Sequence, residues 1–194
     1  TATVYKASSS PSGTIAPGSQ NLVLARFNVQ AGGDALEVRK IGVQVKHATS
    51  TALTGTLTVR DVATNETYLS ISADTTGIAT TTTPTAGTLL TYQQSLSSYI
   101  QLAAGQTKVI EVIGSIPTTA VATSTYTVYT GQYYAKRINQ NDYTTLSASA
   151  VSGNTLTVNT VSLTVTKDTA MPNVTRAPGA TNQEIGRFKL TASS

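Results

Sequence analysis

Residues 21–29 read Asn-Leu-Val-Leu-Ala-Arg-Phe-Asn-Val, and they alternate. Leu22, Leu24, Arg26 and Asn28 fall on one side of an extended chain, and Val23, Ala25, Phe27 and Val29 on the other. A period of two marks a half-buried strand. Just downstream, 36–45 carries the same signal with a break. Leu36 and Val38 share one phase while Ile41, Val43 and Val45 share the other, which predicts a β-bulge near Arg39-Lys40. Strand-like runs recur at 55–62, 67–72, 99–102, 108–113, 125–135, 144–150 and 155–166. Turn residues separate them at Gly32-Gly33-Asp34, Ala63-Thr64-Asn65, Ala103-Ala104-Gly105-Gln106, 139–142 and Ser152-Gly153-Asn154. No stretch holds a 3.6-residue apolar period. The expected fold is all-β, an antiparallel β-sandwich, with an eight-stranded jelly roll as the architectural rival. Sequence beyond a minimal sandwich falls at 74–90, where the Thr-rich run 80–85 reads as an exposed loop.

The strand at 21–29 is also half of a repeat. Moving residues 1–33 forward by 161 positions aligns them with 162–194 without a gap, and twelve of the 33 pairs are identical. Thr3, Val4, Lys6, Pro11, Thr14, Ala16, Pro17, Gly18, Asn21, Arg26, Phe27 and Ala31 fall on Thr164, Val165, Lys167, Pro172, Thr175, Ala177, Pro178, Gly179, Asn182, Arg187, Phe188 and Ala192. Self-similarity at a fixed period is the mark of an array. The expected organisation is a sandwich unit at 1–161 and, at 162–194, a truncated repeat of residues 1–33 that holds the first strands of a second, incomplete unit. Between them, 154–167 contains neither Pro nor Gly, so a stiff joint is expected at 159–162.

Composition narrows the function. Charged residues make up only 11% of the chain, cysteine is absent, and the net charge of +4 is spread thinly. The only adjacent basic pairs are Arg39-Lys40 and Lys136-Arg137, which is not the basic stripe of a nucleic-acid surface. No apolar run approaches the length of a transmembrane helix. A start at Thr1 reads as a processed or excised product.

The Thr-Val-x-Lys opening, the Pro-containing loop, Ala-Pro-Gly, and a strand ending Arg-Phe-x-x-x-Ala together resemble tandem immunoglobulin-like (Ig-like) modules. Such modules occur in large secreted and surface-layer-type bacterial proteins. The turn at 102–109 and the strand at 152–158 resemble later parts of the same modules. The resemblance implies an Ig-like sandwich located outside the cell or on its surface, and no catalytic residue.

Residue chemistry points the same way. His47 is the single histidine and is expected at an exposed strand end. No nucleophile-elbow motif accompanies it, and the nine acids are scattered, so no enzyme is expected and no catalytic residue is assigned. No cofactor is expected either. Calcium is the favoured metal if there is one, with weak candidate ligands Asp34, Glu37, Asn139, Asn141 and Asp142 in polar loops. Asn65 and Asn173 sit in glycosylation patterns, so glycans are candidate modifications. Tyr126, Tyr129, Tyr133 and Tyr134 crowd one strand, with Tyr129 and Tyr133 as candidate subunit contacts. In the tail, the alternating run 184–190 places Phe188 and Leu190 on one face and Ile185 on the other. Ile185, Phe188 and Leu190 are the remaining inter-subunit candidates.

The leading functional expectation is therefore a non-enzymatic extracellular structural protein. It would be a self-assembling subunit or segment of a surface layer or filament, with copies of itself as partner and the tail as a candidate donor strand. The alternative is an adhesin or carbohydrate-binding β-sandwich module, which needs an exposed aromatic platform.

Overall fold

The computed structural model describes residues 1–48, 51–146, 149–160, 162–170, 175 and 177–193. The chain divides into two units, Thr1–Asn159 and Thr160–Ser194. The first carries β1 (Ala2–Lys6), β2 (Gly13–Ile15), β3 (Leu22–Ala31), β4 (Leu36–Ala48), β5 (Thr54–Asp61), β6 (Thr67–Ser72) and β7 (Ala79–Thr80). A short helical turn α1 (Ala86–Thr91) follows, then β8 (Gln93–Leu102), β9 (Thr107–Ser115), β10 (Thr125–Arg137), β11 (Asp142–Leu146) and β12 (Val151–Val158). The second unit carries β13 (Ser162–Lys167) and β14 (Phe188–Ser193).

The first unit is a β-sandwich. One sheet has the order β1-β3-β9-β5-β6 and is antiparallel throughout. The other runs β2-β12-β10-β4, with β11 beside the far half of β10 and β7 and β8 along the outer edge of β4. Two short pairings in it are parallel, β2 with β12 and β4 with β7. Leu24, Phe27, Val29, Ile110 and Val112 from the first sheet meet Val38, Ile41, Val43, Tyr126, Tyr133 and Leu156 from the second in one core. Phe27 points inward and Arg26 outward, as the alternation requires, but the β3–β9 register shifts between Val23 and Ala25, and Leu24, expected on the other face, joins the same core. The outward row continues across strands, because Arg26 and Arg60 lie opposite Glu111 in register and both bind it, at 2.9 and 2.7 Å.

The predicted bulge is present. The β4–β8 register shifts between Val38 and Lys40, so Arg39 and Lys40 both leave the core while Val38 and Ile41 stay in it. The new phase carries on to His47, which is 8% exposed and lies opposite Tyr126. This corrects the expectation of an exposed histidine: after the bulge, position 47 shares the inward parity of Val43 and Val45.

Ser152-Gly153-Asn154 is a second correction, since these residues lie inside β12 and form no turn. Gly153 is required by proximity, because a Cβ there would stand 2.8 Å from the Ala25 Cβ on the facing sheet. In the extra sequence expected at 74–90, Ile78 joins the core, β7 extends the edge of β4, and α1 packs on the outer face of the second sheet. There Leu89 of α1 is buried, and a Cβ at Gly42 would come within 3.1 Å of it. The Thr-rich loop is mostly exposed, as expected, although Pro84 is buried.

Candidate assembly and binding surfaces

Two surfaces stand out, the tail hairpin and an aromatic cleft. In the hairpin, β13 pairs antiparallel with β14, placing Val165 opposite Leu190 and Lys167 opposite Phe188. In the sandwich, β1 pairs with β3 so that Val4 lies opposite Val29 and Lys6 opposite Phe27. Every one of these positions is displaced by 161, so the hairpin reproduces the β1–β3 register pair for pair. The likeness extends to the connections. Gly18 and Asn21 have positive φ (75° and 51°), as do Gly179 and Asn182 (82° and 54°). The Ala7 N–H donates to the Arg26 carbonyl at 3.0 Å, and the Asp168 N–H to the Arg187 carbonyl at 2.9 Å.

Burial is where the copies part. Val4, Phe27, Val29 and Ala31 lie in the core, whereas Val165, Phe188 and Leu190 are 58%, 67% and 65% exposed. Directly opposed residues of an antiparallel pair share a face, so the hairpin carries a bare apolar face. In the sandwich that face rests on β12. Lys6 Nζ donates to Asn154 Oδ1 at 2.6 Å, and a Cβ at Gly153 would lie 3.7 Å from the Phe27 ring.

The expected strand over 184–190 is shorter than the sequence implied. β14 begins at Phe188, and Ile185 lies before it, 92% exposed. The matching stretch in the sandwich, Leu22 to Ala25, is held by β9 (Leu22 opposite Gly114, Val23 opposite Ile113, Ala25 opposite Val112). No described strand plays that part for the tail. Arg187, the counterpart of Arg26, pairs with Glu184 at 2.7 Å where Arg26 has Glu111.

The aromatic cleft lies on the outer face of the second sheet, where β8, β4, β10 and β11 are neighbours. It encloses about 320 Å³ between Arg39, Lys40, Ser95, Leu96, Tyr99, Tyr134 and Tyr143. Tyr134 and Tyr143 stack with centroids 5.6 Å apart and planes 7° from parallel. The Arg39 guanidinium sits 4.9 Å from the Tyr99 ring and 5.2 Å from Tyr143, and Lys40 Nζ 5.8 Å from Tyr134. Arg39 Nε also donates to Glu37 Oε1 at 2.7 Å, and Gln101 Nε2 to Glu37 Oε2 at 2.9 Å. The Gln101 amide and the Arg39 charge hold the Glu37 carboxyl below its usual range despite partial burial.

Tyr133 is a correction: its ring is fully buried, and its hydroxyl is 2.8 Å from that of Thr130, so it offers no surface to a subunit. The cause lies at Gly131-Gln132, where Gln132 has φ of 55° and the β10–β4 register shifts, turning Tyr133 inward and Tyr134 outward. Tyr129 is half-buried. Sequence reasoning did not name Arg39, Lys40, Tyr99 or Tyr143 as a site. The available signal was the bulge itself, which puts two adjacent cations on one face.

The loop candidates are scattered in role. Asp34 is buried; its Oδ1 accepts the Asn139 N–H at 3.4 Å, and its Oδ2 has no hydrogen-bond partner among the described residues. Asp142 binds Arg137 Nε at 2.6 Å, Glu37 is engaged as above, and Asn141 occupies a turn with φ of 52°. Among the described residues, no three His, Cys, Asp or Glu side chains gather as a metal cluster. Asn65 is exposed in a turn; Asn173 lies outside the described residues. Among the described residues, no helix is long and apolar enough to cross a membrane.

No family model and no curated protein matches the chain. Among solved structures it is similar to the CssB subunit complemented with a donor strand from CssA, of the enterotoxigenic Escherichia coli colonization factor CS6. That likeness has 8% identity, covers 81% of this chain and 97% of the other, and has a TM-score of 0.41. It is also similar to a family 123 glycoside hydrolase from Clostridium perfringens, at 9% identity over 82% of this chain and 28% of that one, with a TM-score of 0.32. Likenesses of this depth bear on neither activity nor assembly.

Proposed function

We propose that the chain is a non-enzymatic structural segment of an extracellular filament or surface layer, built from repeats of this sandwich unit. One observation carries the reading: the tail hairpin repeats the β1–β3 register pair for pair while its apolar face stays bare. The first unit shows what such a face rests on. In the assembly the hairpin takes the place of the β1–β3 pair of another unit, beside that unit's β9 and over its β12, displacing the pair that covers them in the dispersed chain. Strand addition of this sort gains main-chain hydrogen bonds as well as apolar burial. The order β1-β3-β9-β5 facing β12-β10-β4 supports an Ig-like arrangement over a jelly roll.

Negative-stain microscopy and light scattering of the full chain, of Phe188→Asp and of a form lacking 162–194 test this. Ordered polymers are expected from the full chain only, with both variants remaining soluble and folded by circular dichroism. Polymers that persist in both variants would move the decisive contact elsewhere, and Tyr129 on the outer face of β10 becomes the next suspect.

A further inference from the structure

Independently of how the units assemble, we propose that the Arg39–Tyr99–Tyr143 cleft binds an anionic glycan, a sugar ring bearing a carboxylate or sulfate. Its volume, about 320 Å³, falls at the small end of ligand pockets, which run from roughly 300 to 1,000 Å³. Its charge is unbalanced. Of the two cations that line it, Arg39 pairs with Glu37, which also has Lys136 opposite it in register, while beside them Arg137 and Asp142 neutralise each other. Lys40 is exposed and rests on the Tyr134 ring, and among the described residues no carboxylate pairs with it.

Tyr99, Tyr134, Tyr143 and Ser95, all hydroxyl-bearing, line the same space as Arg39 and Lys40, a chemistry suited to a ligand with many hydroxyls and one acidic group. Tyr134 and Tyr143 are stacked on each other, so no flat ring can be inserted between them. Tyr99 is 41% exposed, leaving ring surface for the C–H face of a sugar. All the parts sit on strands. The bulge aims both cations outward, so little order has to be acquired on binding.

Isothermal titration calorimetry of the full chain at low ionic strength, with trigalacturonate as the carboxylate probe, tests the proposal. A sulfated disaccharide is the sulfate arm, maltotriose the neutral counterpart, and polyacrylate a polyanion without sugar rings. At least one acidic sugar should bind measurably better than maltotriose. Lys40→Gln and Tyr99→Ala should each weaken that binding by about tenfold, while Lys189→Gln, which removes the same charge from the exposed tail, should leave it unchanged. The proposal is overturned if no acidic sugar binds, if Lys40→Gln and Tyr99→Ala bind like the parent, or if polyacrylate or a short single-stranded DNA is preferred.

Discussion

Asp61 shows how much one carboxylate at a strand end can hold. It is 2% exposed, accepts the Ala63 and Thr64 amides at 2.7 and 3.1 Å and the Tyr68 hydroxyl at 3.0 Å, and stands 3.5 Å from Lys108 Nζ. Burial alone would raise its pKa, but these donors outweigh it and the net shift is downward. Burial and the bond to Asp61 in turn push the Tyr68 phenol upward. Because the folded-state pKa of Asp61 lies below its unfolded value, its contribution to stability is complete above about pH 4 and is lost as pH falls through the folded value. Asp61→Asn should therefore cost about 1–3 kcal/mol at neutral pH, and the deficit should shrink below pH 4. Urea unfolding at pH 7 and pH 3 checks both points, and a deficit that does not change with pH would contradict this account of the site. In the sequence the residue falls inside the strand-like run 55–62 with no role of its own, since Tyr68 and Lys108 reach it only through pairing of β5 with β6 and β9.

At the scale of elements, the two hairpins are a natural control for each other. Phe27 and Phe188 follow the same local grammar and occupy the same register position, yet one is buried and the other two-thirds exposed. Phe27→Ala should destabilise the sandwich by roughly 3–5 kcal/mol. Phe188→Ala should move it by less than about 0.5 kcal/mol in the dispersed chain. Equal effects in denaturant unfolding would mean that the tail face is already covered. The bulge at Arg39-Lys40 was readable because the apolar phase changes within a single strand. The helical turn α1 was not readable, because six residues are too few to show a helical period. The interior of β12 was misread because Gly153 looks like punctuation until its closeness to Ala25 is known.

For the whole molecule, the junction is the part that sequence speaks to directly. The stretch 154–167 lacks Pro and Gly, with Leu156 and Val158 on even positions and Leu163 and Val165 on odd ones. A Gly/Ser insertion of about six residues after Thr160 should leave both the sandwich and the hairpin folded while abolishing long-range order in the proposed polymer. Electron microscopy reads the order and circular dichroism the folding. Undiminished order would show that the joint does not set the geometry.

Period and repetition are properties of the chain itself, so the β class, the sandwich, the bulge and the repeat of residues 1–33 could be read from residue types alone. Which face of a strand is covered, and which distant side chains become neighbours, depends on pairing partners many residues away. That is why Tyr133 and His47 proved to be core residues and Arg26 found Glu111. It is also why Tyr99, Arg39, Tyr134 and Tyr143 form one cleft: they come from four strands that only the sheet order β8-β4-β10-β11 brings side by side. Local periodicity determines what each segment is able to become, and long-range register determines which atoms it meets.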